Sequence, residues 1–162
     1  MEIKTQKNRE ITKSGNTDIV TWEPKYSVGV PLIDSQHREL VNLTNVLYKA
    51  CLSRDKSIGT VFSDAMHKMV DYVRFHFNAE NKLLETIKFP EHSEHKKLHE
   101  TLVKEILAAV KSYEEGNKLV PNTFVRTLKE WVFGHIAICD QVYALYIVNQ
   151  KKKGLLTDAE MK

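Results

Sequence analysis

The chain has 162 residues, 42% of them apolar and 28% charged, which suits one domain with a sizeable core and is ordinary for a soluble globular protein. A formal charge of +3 is too small to argue for a nucleic-acid partner. No run of roughly 18 uncharged apolar residues points to a transmembrane helix, and Met1 to Val20 lack the apolar core of a secretory signal.

Residues 1–21 are polar, with little apolar periodicity, and read as an N-terminal arm, mobile or laid on the surface. Trp22 to Leu32 contain Pro24, Gly29 and Pro31, which punctuate the backbone and predict an extended entry segment, with Trp22 and Tyr26 packing it against the rest. A first helix is predicted from Asp34, a good N-cap, to about Ser53, with His37, Leu40, Val41, Thr44, Leu47, Tyr48 and Cys51 on its inner stripe. A second runs from about Ser57 to Ile87, its inner line including Met69, Val73, His76, Glu80, Leu83 and Leu84. A glutamate in such a line is costly unless it is ion-bound or hydrogen-bonded. His67 falls off that stripe and reads as solvated.

Phe89-Pro90 should break the helix. The third helix then covers Glu91 to Glu115, with His95, Leu98, His99, Leu102 and Ile106 facing inward and His92 near its frayed start. Gly116-Asn117 is a plausible stop. The fourth begins after Pro121-Asn122 and runs to about Gln150. Phe124, Leu128, Trp131, Val132, His135, Ile138, Cys139, Val142 and Leu145 mark its face. Residues 151–162 form a C-terminal tail, and Lys151-Lys152-Lys153 reads as a solvated helix end. Four long amphipathic helices with short connections predict an all-α, up-down-up-down four-helix bundle over 22–150.

Certain polar residues break the apolar stripes in a pattern of their own. His76 and Glu80, and likewise His95 and His99, are spaced i, i+4, which stacks each pair on one helix face roughly 6 Å apart. His37, His135 and Asp140 join them from the first and last helices. Five histidines and two carboxylates are too many ligands for one ion and suit two ions bridged by both carboxylates. Without thiolates, such a set favours zinc, copper, iron or nickel over magnesium or calcium. His135 and Asp140 are awkward partners, because i, i+5 places them about 140° apart on an ideal helix. Either a π-type bulge between Ile136 and Asp140 brings them together or they approach from different sides.

Val28-Gly29-Val30, Ile33-Asp34, Gln36-His37, His76-Phe77-(x2)-Glu80, His95-(x3)-His99 and Trp131-(x3)-His135-(x4)-Asp140 together resemble the hemerythrin pattern, in its bacterial form, from about Trp22 to about Gln150. The resemblance implies two iron ions (Fe2+/Fe3+) with a bridging oxo or hydroxo group. Glu80 and Asp140 would bridge the irons, His95, His99 and His135 would hold one, and His37 and His76 the other. Counting the bridge, the first iron is closed and the second keeps an open position. The walls of an oxygen pocket would be Leu40, Phe77, Trp131, Val132 and Ile136. Leu84 stands where many bacterial relatives have methionine, and Asn81 where they often have a second glutamate. The ferritin-like carboxylate proteins, with Glu-x-x-His motifs and several glutamates, fit less well.

The function so implied is reversible binding of dioxygen or another small diatomic ligand, in an oxygen carrier, store or sensor. The alternatives are a di-iron redox enzyme (oxidase, peroxidase or nitric-oxide-consuming) and an oxygen-sensing signalling module with a separate protein partner. Cys51 and Cys139 lack metal-type spacing, so a cytoplasmic protein with free thiols is expected. It would be a monomer or weak homo-oligomer, with no nucleic-acid or membrane partner.

Overall fold

A computed structural model describes residues 18–52 and 58–161. The arm up to residue 17 and the predicted helix ends Ser53 and Ser57 lie outside the described residues. Four long helices run through the rest: α1 Pro31–Leu52, α2 Ile58–Thr86, α3 His92–Glu114 and α4 Val120–Lys152. In cross-section they form a square, α1 against α2 and α4, and α3 against α2 and α4. Each helix therefore neighbours the one before it in the chain, as short connections require.

Local chemistry sets the ends. The first helix starts at Pro31, three residues before the predicted cap. Proline suits a first helical position because the missing N–H would have no intrahelical partner there. Asp34 lies inside the first turn, where its carboxylate accepts from Ser27 Oγ at 2.6 Å and Val28 N at 2.8 Å. It thereby ties the entry segment to the helix, across Gly29 at φ +75°. Residues 18–21 lie along α1: Ile19 N and Val20 N both donate to Asn45 Oδ1. The second helix stops when Lys88 turns left-handed at φ 53° and Phe89 N bonds back to Leu84 O. Pro90 follows, and disfavours helical backbone at Phe89. The third stops at Gly116, φ +92°, with Asn117 N bonded to Ser112 O. The fourth starts at Val120, two residues before the predicted cap Asn122, and takes Pro121 into its first turn.

The last helix departs from α geometry over Val132–Cys139, which is π-helical; Asp140 N–H bonds to His135 O, five residues back. The widening begins four residues earlier than the predicted bulge. One extra residue in the turn shifts every later position. Tyr143, Ala144 and Ile147 therefore face the core, while Ile138, Val142 and Leu145, inward by uninterrupted 3.6-residue counting, are 67%, 46% and 61% exposed. Leu98 is also exposed, on the flank of a face that His95 and His99 fill.

By length and composition alone this helix could cross a bilayer, unlike the expectation from the sequence. Its inner face nevertheless carries Asp140 and His135, both buried among the other three helices.

Two apolar clusters flank the polar residues. One gathers Leu47, Phe62, Met69, Ile106, Phe124 and Leu128; the other gathers Val30, Ile33, Leu84, Phe89, Tyr143 and Ile147. Past α4 the chain turns back at Gly154, and a short 3-10 turn, Asp158–Met161, buries Met161 with Leu156 in the second cluster. Lys151 pairs with Asp158 across this turn, while Lys152 and Lys153 are exposed.

Candidate metal centre

The four helices bring all seven residues of the predicted set to one place, each no more than 5% exposed. The stacked pairs of α2 and α3 supply four, α1 supplies His37, and the π segment turns His135 and Asp140 toward the same point. Glu80 is at the middle. Its Oε2 lies 3.0 Å from His99 Nε2 and 3.4 Å from His95 Nε2 on one side, and 3.9 Å from His76 Nε2 on the other; its Oε1 is 3.9 Å from His37 Nε2. Asp140 also reaches both sides, with Oδ1 at 3.1 Å from His135 and 3.3 Å from His95, and Oδ2 at 3.3 Å from His37. Two groups of donors result, Glu80 with His95, His99 and His135, and Glu80 with His37 and His76. His67 is exposed beside Glu114 and His92 is half-buried; neither belongs to these groups.

Electrostatics favour a cation here. Burial pushes the imidazoles of His37 and His99 down to about 4, and those of His76 and His135 down to about 3. All four are neutral at pH 7, so each ring has one nitrogen lone pair to offer a metal ion. Burial alone would also lower His95 and raise Glu80. Hydrogen bonds and charges together outweigh it: Glu80 and Asp140 raise His95, while His95, His99 and His76 hold Glu80 well below the usual carboxylate range. Asp140 is raised well above its ordinary value by burial, and then by the nearby Glu80 charge.

The ring nitrogens His37 Nε2 and His76 Nε2 and both oxygens of Asp140 are buried without a hydrogen-bond partner, an arrangement costing about 1–3 kcal/mol per orphaned group. His99 Nε2 and His135 Nε2 face each other at 2.8 Å. Metal ions between these atoms would remove the cost, and the nitrogen-and-carboxylate set fits iron.

Two supporting residues were not assigned roles from sequence. His76 Nδ1 donates to Gln36 Oε1 at 3.1 Å, which turns the Nε2 lone pair inward. Tyr143 donates its hydroxyl to Glu80 Oε1 at 2.5 Å, and burial holds its pKa well above 10. Gln36 was visible only as a neighbour of His37, and Tyr143 was hidden by the register shift. Tyr143→Phe should keep iron yet lose about 1.5–3 kcal/mol of stability, the usual worth of a hydrogen bond to a charged group. Chemical denaturation of both iron-loaded proteins checks this; equal midpoints and slopes would contradict it.

Two of the apolar residues named for a ligand pocket stack on histidines of the centre. Phe77 stacks on His99 with centroids 3.7 Å apart and 3° between planes, and Trp131 on His135 at 4.6 Å and 14°. Leu40, Val132 and Ile136 are buried in the same cluster.

A four-helix bundle with two overlapping histidine groups that share a buried carboxylate defines a protein built to hold two metal ions. Residues 28–146 match the Hemerythrin HHE cation binding domain, and the chain belongs to the hemerythrin family, whose centre holds two irons and whose members bind or sense oxygen. It is 30% identical over 128 residues to a bacteriohemerythrin of Stenotrophomonas maltophilia, covering 78% of this chain and 80% of that one. A hemerythrin-like protein of Naegleria gruberi is 26% identical, covering 75% of this chain and 88% of its own. A bacteriohemerythrin of Methylococcus capsulatus is 24% identical, covering 77% and 94%.

Proposed function

We propose that the chain binds dioxygen reversibly and serves as an oxygen carrier, store or sensor. The observation that carries this reading is the asymmetry of the donors. Three imidazoles, His95, His99 and His135, gather at one end of Glu80, and only two, His37 and His76, at the other. In this reading Glu80 and Asp140 would serve both ions, His95, His99 and His135 would hold one and His37 and His76 the other, where fewer protein donors would leave room for a small ligand. Two irons held there supply reversible one-electron chemistry toward a diatomic molecule.

The chain's own residues set the conditions. Gln36 fixes the His76 ring. Tyr143 holds its proton against Glu80 and keeps that carboxylate oriented. Leu40, Phe77, Trp131, Val132 and Ile136 keep water and protons from the ligand, which slows irreversible oxidation. We place the protein in the cytoplasm, where Cys51 and Cys139, both free, stay reduced, as a monomer or weak homo-oligomer.

An oxygen electrode separates this reading from a redox enzyme. Reduced protein should take up one dioxygen per pair of irons and then stop, even with excess reductant present. Sustained consumption of oxygen and reductant would overturn the carrier reading in favour of an oxidase.

A further inference from the structure

A cavity of about 480 Å3 opens between α2 and α3, away from the five apolar residues assigned to the ligand pocket except Phe77. Buried Phe77 and His99 line its inner side, and exposed Arg74, Lys96 and Lys104 line its rim. One carboxylate, Glu100, also lines it. None of the three cations forms an ion pair among the described residues, so the rim carries an excess of two positive charges.

His99 connects this cavity to the metal centre. Its Nε2 faces Glu80 and His135, at 3.0 and 2.8 Å. Its other ring nitrogen, Nδ1, is buried and has no hydrogen-bond partner. A metal-bound imidazole ordinarily gives that second N–H to an acceptor, as His76 does to Gln36. Asn81, half-buried on the same cavity, also has an unpartnered amide oxygen. Its amide can present either end, since oxygen and nitrogen are told apart only by their partners. The wall thus combines a buried, unpartnered ring nitrogen, which is an N–H whenever Nε2 is given to metal, with a carboxamide and a basic rim in excess.

We propose that this cavity is a binding site for a small oxyanion, a carboxylate or a phosphate, whose oxygen accepts the His99 Nδ1–H. The anion is held by Arg74, Lys96 and Lys104, and through His99 it tunes the centre: a stronger acceptor makes the imidazole a better donor to metal. The coupling rests on the di-iron reading; the binding does not.

Isothermal titration of iron-loaded protein with inorganic phosphate, and separately with acetate, tests this. Azide is kept saturating so that the open metal position is unavailable. At least one of the two anions should bind saturably, one per chain, and the visible bands should shift as the site fills. The triple variant Arg74→Ala, Lys96→Ala, Lys104→Ala, altered only at exposed positions, should bind about tenfold more weakly or worse. Which anion binds more tightly identifies the class. No saturable heat with either, the same heat from sodium chloride, or equal affinity in the triple variant would overturn the site. Binding without a spectral shift would overturn the link through His99. Failure of the di-iron reading would show separately, as a protein with no visible band whose phosphate heat can still be read.

Discussion

Glu80→Ala should leave the protein without its iron pair. Glu80 is fully buried and is the carboxylate common to both donor groups, so truncating it removes a ligand from each ion at once. It also leaves the Tyr143 hydroxyl without its acceptor. Loss of an outer hydrogen-bonding partner already costs 10–100-fold in metal affinity; loss of a shared ligand should cost more than about 100-fold. Iron per chain and the visible spectrum are the readouts, with circular dichroism to show that the helices remain. A helical variant that still held both irons with an unchanged spectrum would mean that the centre is built on other residues.

Removing iron should have the next largest effect and should make the chain acid-sensitive. A ligand at about 1,000 times its dissociation constant adds roughly 4 kcal/mol to folding, so the iron-free protein should melt about 10 °C lower or more. For the pH dependence, the imidazoles of His37, His76, His99 and His135 ordinarily titrate at 6.5 and are held at about 4, 3, 4 and 3 in the fold. Below pH 6.5 the unfolded chain therefore binds more protons than the folded one, and stability falls as pH falls. The loss begins near pH 6.5 and continues to about pH 3. Asp140 and His95, both with raised pKa, work in the opposite sense: their contributions are present in acid and are lost as pH rises. The four lowered imidazoles, joined by the lowered Glu80, outnumber them, so the net slope from pH 7 to pH 4 is destabilising. Iron should leave over the same interval, because protons and metal compete for the same lone pairs. Thermal melts of both forms across that range are the check; superimposable curves would show that these groups bind no metal.

The sequence showed the bundle because its two main periodicities are strong. Stripes such as Leu40, Thr44, Leu47 on α1 and Met69, Val73, His76, Glu80 on α2 repeat every three or four residues, and Pro90 and Gly116 mark breaks where the backbone has few choices. Six of the seven polar residues of the centre are legible because histidine and carboxylate on those same stripes are costly without a ligand, whereas Asp140 falls off its stripe and enters with the hemerythrin pattern. Register after His135 was harder to read. Spacing to Asp140 signalled that the helix had to widen, but not that the widening begins at Val132, so Tyr143 went unnoticed while Ile138, Val142 and Leu145 were placed inward. Helix starts also moved: Pro31 and Pro121 each occupy a first turn that side-chain capping preferences assigned to Asp34 and Asn122. The inward fold of the tail rests on Leu156 and Met161, which have no period to announce them.

Reversible oxygen binding at this centre is tested most directly by an optical spectrum of dithionite-reduced protein, recorded under argon, then in air, then after purging with argon again. A visible charge-transfer band that appears in air and disappears on purging is the predicted result. A band that persists unchanged after purging, or no band in any state, would contradict it, the first pointing to irreversible oxidation and the second to a centre without iron.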